Sequence, residues 1–171
     1  DYNIQKESTL RMTSFLEVSD ANGLADALAS TAAEIKLMSH VAISSALTVN
    51  RAVTLDLNGY MLTMTGNGSV IKVESGGGLA LKDSNPAVEY KFKDDGSGLW
   101  VLDNTGDRIV HGGVITGGNG APEAFDQSKT YGSGVYVDDG TFTMTGGTIV
   151  GCKASMYGGG VYVSAGNFAM S

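Results

Sequence analysis

Proline is nearly missing from this chain, at 2 residues in 171, and cysteine is reduced to a single residue, Cys152. So little proline argues against a Pro/Gly-rich disordered linker, and the absence of glycine at every third position excludes a collagen helix. One cysteine cannot make an intrachain disulfide, so oxidative stapling is excluded and the redox compartment stays open. Basic residues are also short, 11 Lys and Arg against 18 Asp and Glu, for a net charge of −7. A nucleic acid or an anionic membrane surface would have to bind against that field, so neither is expected as a partner. No run approaches the ~18 apolar residues of a spanning helix, so no transmembrane segment is expected. The chain shows neither an initiator methionine nor a signal peptide, and on that ground reads as a processed chain or an excised fragment. Its length suits one domain with its own core.

What the chain does have is glycine, 25 residues set between short runs of Val, Ile, Leu, Phe, Met and Thr. Such a composition suits many short strands joined by tight turns. The glycines also repeat. Tyr131 to Thr145 (YGSGVYVDDGTFTMT) and Tyr157 to Ser171 (YGGGVYVSAGNFAMS) share nine of fifteen positions at a shift of 26. A second register, at a shift of 34, sets His111-Gly112-Gly113-Val114-Ile115 against Thr145-Gly146-Gly147-Thr148-Ile149. Upstream, Ile71 to Leu81 carries the same alternation with one extra glycine in its turn.

Alternate residues of a strand share a face, so Val135, Val137, Phe142 and Met144 can point inward while Tyr136, Thr141 and Thr143 point outward. One unit cannot bury such a face alone, and stacking successive units would form continuous inward columns. The expected fold is all-β, a right-handed single-stranded parallel β-helix of three short sheets. Ser19-Asp20 followed by Leu24, Ala25 and Leu28 predicts a short capping helix over about 20–30. Ile35–Leu37, Leu47–Val49, Val53–Leu57 and Met61–Met64 read as strands. Residues 86–104 read as a protruding β-hairpin, and about 118–131 as a long loop carrying Pro122, Phe125 and Lys129. Residues 1–17 are an unassigned leader before a domain at 18–171. The last repeat stops before its Gly-Gly-Thr-Ile segment, which predicts further coils beyond Ser171 in the natural protein.

Val18-Ser19-Asp20, Leu24 to Leu28, the Val53 to Thr63 stretch and the Gly-Val-Tyr-Val…Gly-Thr-Phe-Thr-Met…Gly-Gly-Thr-Ile repeats resemble the pectate-lyase-like right-handed parallel β-helix. More narrowly they resemble the adhesin-like repeat region of large surface proteins of Gram-positive gut bacteria. The resemblance covers about residues 18–171 and implies an extracellular location at the cell surface or wall. It also implies an enzymatic alternative, because the wider superfamily includes polysaccharide lyases and glycoside hydrolases.

An inverting hydrolase of that kind needs an acid and a base flanking the sugar. The chain offers Asp103-Asn104-Thr105-Gly106-Asp107, His111-Gly112-Gly113 and Asp138-Asp139, but in the wrong order and with Gly106 where an aspartate is required. Asp138 and Asp139 become Ser164 and Ala165 in the next repeat, as turn residues do. A lyase would need clustered carboxylates for calcium and a basic residue for proton abstraction. Arg11, Arg51 and Arg108 are the only arginines, and Asp56 and Asp83 read more simply as strand punctuation. His40 and His111 lack partners at ligand spacing, and Cys152 reads as a packed small residue. No cofactor, metal or catalytic set is expected.

The aromatic residues are the better candidates for binding. Tyr136 and Tyr162 should face outward one above the other, with Tyr131 and Tyr157 at a nearby corner, and Trp100 stands on the hairpin. Aromatic rings with polar tips suit a sugar or a protein partner, although a tyrosine ladder can also serve only to stabilise its sheet. The reading is a non-catalytic, adhesin-like surface module presenting loops and a sheet face to a glycan or a host protein, with the carbohydrate-active enzyme as the alternative.

Overall fold

The computed structural model describes residues 15–123 and 125–171. The chain opens with β1 (Phe15–Val18), α1 (Ala21–Ala29), β2 (Glu34–Leu37), β3 (Val41–Ile43), β4 (Leu47–Val49), β5 (Ala52–Asp56) and β6 (Met61–Met64). It continues through β7 (Ile71–Val73), β8 (Gly78–Lys82), β9 (Glu89–Asp94), β10 (Trp100–Leu102), β11 (Arg108–His111) and β12 (Val114–Thr116). The last strands are β13 (Ala121–Pro122), β14 (Thr130–Tyr131), β15 (Val135–Met144), β16 (Thr148–Ile149) and β17 (Val161–Met170). Of the expected leader, residues 1–14 lie outside the described residues, and 15–17 begin β1, which pairs in parallel with β2.

The helix forms where expected. The Asp20 carboxylate accepts the Gly23 N–H at 2.8 Å as N-cap, and Leu24, Ala27 and Leu28 are buried. Ala25, also expected on the apolar face, is exposed, because burial at 24, 27 and 28 turns position 25 away. Among the described residues no helix is long and apolar enough to cross a membrane.

The strands form four sheets. In the eight-stranded sheet, order β1-β2-β5-β8-β15-β7-β4 with β17 also on β15, every pairing is parallel. A four-stranded parallel sheet runs β16-β12-β6-β3. The other two sheets, β10-β9-β11 and β13-β14, are antiparallel. The chain is thus all-β with one helix and a mixed set of sheets. It is not the right-handed single-stranded parallel β-helix that the repeat predicts.

Two features account for the difference. First, the expected corner between Val137 and Phe142 does not end the strand. β15 runs through it, its first half on β7 and its second half on β8, so rows expected in separate sheets fuse into one. The passage is made by a bulge at Asp138 and Asp139, where Asp139 takes φ 63° and is skipped in the register with β17. Second, the segments between the repeats fold back on themselves and pair antiparallel. The hairpin at 86–104 gains β11 as a third strand, and the long loop at 118–131 closes through β13 and β14.

The four-stranded sheet is a wall between two apolar clusters. Leu62 and Ile115 face the main core with Ile35, Leu55, Leu81, Val137 and Phe142. Their neighbours Met61 and Val114 face the opposite way, against Phe92 and Val110 of the antiparallel sheet. Ile149 and Val150 divide in the same manner.

Candidate functional site

The repeat Tyr-Gly-x-Gly-Val-Tyr-Val builds a surface of four tyrosines. Parallel register aligns Thr48, Lys72, Tyr136 and Tyr162 across the outward side of β4, β7, β15 and β17. The inward neighbours Ile71, Val73, Val135 and Val137 enter the core, which fixes the tyrosines outward. Tyr136 and Tyr162 stack at 5.7 Å between ring centroids and 10° between planes. Tyr131 lies 5.3 Å from Tyr162 and 5.9 Å from Tyr157, which is itself 6.4 Å from Tyr162. All of these are stacked pairs, those of Tyr131 tilted by 26° and 30°.

Glycine lets the corner close this tightly. Gly132 and Gly158 take φ of 57° and 68°, and a Cβ on either would sit 2.8 or 2.5 Å from the Cβ of Tyr136 or Tyr162. Only glycine combines that left-handed turn with so close an approach. The Tyr-Gly pairs at 131–132 and 157–158 therefore fold two more rings over the outward row.

Charge frames the rings. The Lys72 ammonium lies 6.0 Å from the Tyr136 centroid, between Glu74 at 3.2 Å and Asp138 at 3.3 Å. Partial burial works against its charge, but the bonds to the two carboxylates prevail and hold its pKa above the ordinary lysine value. The Tyr131 hydroxyl donates to Glu123 at 3.3 Å, and Lys129 stands 3.9 Å from Glu123 and 3.4 Å from Asp126. Desolvation, then the Glu123 charge, raises the Tyr131 pKa, so the phenol stays a neutral donor. Because the rings lie face against face, solvent meets mainly their edges and hydroxyls, with Tyr157 the most open at 58% exposed.

The fifth candidate, Trp100, is not part of this surface. It stands on β10 of the antiparallel sheet, packed against the second apolar cluster.

The acidic residues weighed for catalysis are held apart by local work. Asp138 pairs with Lys72, and Asp139 accepts the Ser75 hydroxyl at 2.9 Å inside the bulge. Asp103 accepts both the N–H and the hydroxyl of Thr105 at 2.7 Å, closing a turn. His111 lies 3.6 Å from Glu89, both exposed. Asp56, 1% exposed, accepts the N–H groups of Asn58 and Ser84, each at 2.9 Å. Asp83 joins three segments, with Oδ1 accepting Gly59 N–H at 2.6 Å and Oδ2 accepting Gly113 N–H at 2.9 Å. Among the described residues no three His, Cys, Asp or Glu side chains gather as metal ligands. Burial pushes the Cys152 thiol up to about 11, which leaves it protonated and a poor nucleophile near neutral pH.

No protein-family model, curated protein or solved structure matches the chain.

Proposed function

We infer that the chain is a non-catalytic, adhesin-like module displayed at a cell surface or wall, and that it binds glycan through the tyrosine surface. The observation that carries this reading is the convergence of Tyr131, Tyr136, Tyr157 and Tyr162 on one outward patch, with Lys72, Glu123 and Lys129 around it. Ring edges and phenol hydroxyls beside charged donors and acceptors can satisfy the hydroxyls of a sugar, and the more open Tyr157 ring can lie against its C–H groups. The extracellular setting rests on the resemblance of the repeats to surface-protein repeat regions. The non-catalytic part is supported by the separate local use of Asp56, Asp83, Asp103, Asp138 and Asp139.

The test is a glycan array probed with the whole chain and with Tyr157→Ala, a change at an exposed ring that leaves the core untouched. Binding to at least one glycan is expected, weakened at least tenfold by the substitution. Absence of glycan binding, binding indifferent to Tyr157→Ala, or release of reducing or unsaturated sugar ends from a polysaccharide panel would each refute the reading.

A further inference from the structure

Trp100, the chain's one tryptophan, lines a second concavity on a different sheet from the tyrosines. This open pocket, of about 380 Å³, is formed by Lys93, Asp94, Trp100, Thr105 and Asp107. Its floor is firm, because the half-buried indole packs against the cluster of Phe92, Val110 and Val114. Turns lock its walls. Asp94 Oδ1 accepts the N–H groups of Gly96 and Gly98 at 2.7 and 3.0 Å, and Thr105 is tied to Asp103. Such fixed polar groups lose little freedom when a ligand arrives.

The charges of the pocket are not spent on ion pairs. Among the described residues Lys93, Asp94, Asp107 and Arg108 take part in no ion pair. The Arg108 guanidinium rests instead over the indole, 5.4 Å from its centroid. The lining carries one cation, Lys93, against two carboxylates, Asp94 and Asp107, with Asp103 tied to its wall and Arg108 over the indole, so the pocket disfavours a polyanion. What it offers is a half-buried indole beside charged and hydroxyl donors and acceptors. An uncharged pyranose matches that pattern, with C–H groups for the ring and hydroxyls for the rim.

We propose that the Trp100 pocket is a binding site for a neutral saccharide, separate from the tyrosine surface. Asp107 and Lys93 accept from and donate to its hydroxyls, and Arg108 holds the indole in place. The site does not depend on the tyrosine reading, and the two have separate readouts.

Trp100 supplies the signal, because no other indole contributes to the emission. The whole chain is titrated with cello-, xylo-, manno- and N-acetylglucosamine oligosaccharides, and with oligogalacturonate as the charged comparison. A saturable change in Trp100 emission is expected with at least one neutral oligosaccharide. Asp107→Ala, at an exposed position, should weaken it at least tenfold with an unchanged circular dichroism spectrum, and Tyr157→Ala should leave it in place. The proposal is overturned if no neutral oligosaccharide gives a saturable change, or if oligogalacturonate binds more tightly. It is equally overturned if affinity survives both Asp107→Ala and Lys93→Ala, or if the response disappears in Tyr157→Ala, which would assign the sugar to the tyrosines.

Discussion

Cys152 shows how one residue's surroundings decide its chemistry. Its Sγ lies 3.7 Å from the Val150 carbonyl oxygen, and burial rather than any charged neighbour sets its pKa near 11. At pH 7.5 the thiolate fraction is then on the order of 100-fold below that of an ordinary cysteine. Iodoacetamide should therefore alkylate the native chain far more slowly than the urea-unfolded chain, with a rate that climbs about tenfold per pH unit up to the region of pH 11. Mass spectrometry of quenched samples measures this, and equal native and unfolded rates at pH 7.5 would contradict it. The sequence carried half of this account: the lack of Cys–His patterning marked the residue as packed. The size of the effect depends on neighbours brought together only by the fold. The tyrosines were more fully legible, because parallel register turns a repeat of Tyr136 and Tyr162 directly into a stack. Trp100 was legible as a candidate but not as a separate site, since its pocket joins β9, the turn at 103–106 and Asp107.

At the scale of elements, α1 is held by a residue far from it in sequence. Arg51 donates from Nη2 to the Ala27 carbonyl at 3.1 Å, from Nε to Leu28 at 3.1 Å and from Nη1 to Ala32 at 2.8 Å. Ala27 and Leu28 lie in the last turn of the helix, where Ala27 also accepts from the Ser30 N–H and hydroxyl and a cation meets the negative end of the helix dipole. Arg51→Met keeps most of the stem and strands the Leu28 and Ala32 carbonyls, while Ala27 keeps its bonds from Ser30, so a loss of about 1–3 kcal/mol is expected. Arg51→Lys should recover only a small part, because one ammonium cannot reach all three. Urea denaturation checks both, and a Met variant within about 0.5 kcal/mol of the parent would show that the helix is held otherwise. Among the strands, those with clean alternation were readable, as in β2, β7 and β8. β11 was not, because Ile109 and Val110 are adjacent apolar residues and His111 aligned with the repeat at Thr145. The fusion of two rows through β15 was also hidden, since Asp138-Asp139-Gly140 is turn chemistry in sequence and a bulge in the sheet.

Across the whole molecule, the four-stranded sheet decides whether the chain behaves as one unit or two. Val114 and Ile115 are both fully buried, yet they belong to different clusters, since neighbouring residues of a strand point to opposite faces. Consecutive apolar pairs at Met61-Leu62, Val114-Ile115 and Ile149-Val150 are the sequence trace of this two-sided burial, and they stand apart from the alternation of the repeats. With one wall serving both cores, the antiparallel sheet of β9, β10 and β11 cannot separate without exposing Val114 and Met61. A further tie is the Tyr90 hydroxyl, which donates to the Gly59 carbonyl at 2.5 Å. Unfolding in urea should therefore give coincident transitions by Trp100 emission, which reports on the second cluster, and by far-ultraviolet circular dichroism, which reports on all the sheets. Val114→Ala should lower both midpoints together, by an amount corresponding to roughly 2–4 kcal/mol. If Trp100 emission changed first while the dichroism held, the antiparallel sheet would be a separately folding attachment, and the shared wall would not couple the two cores.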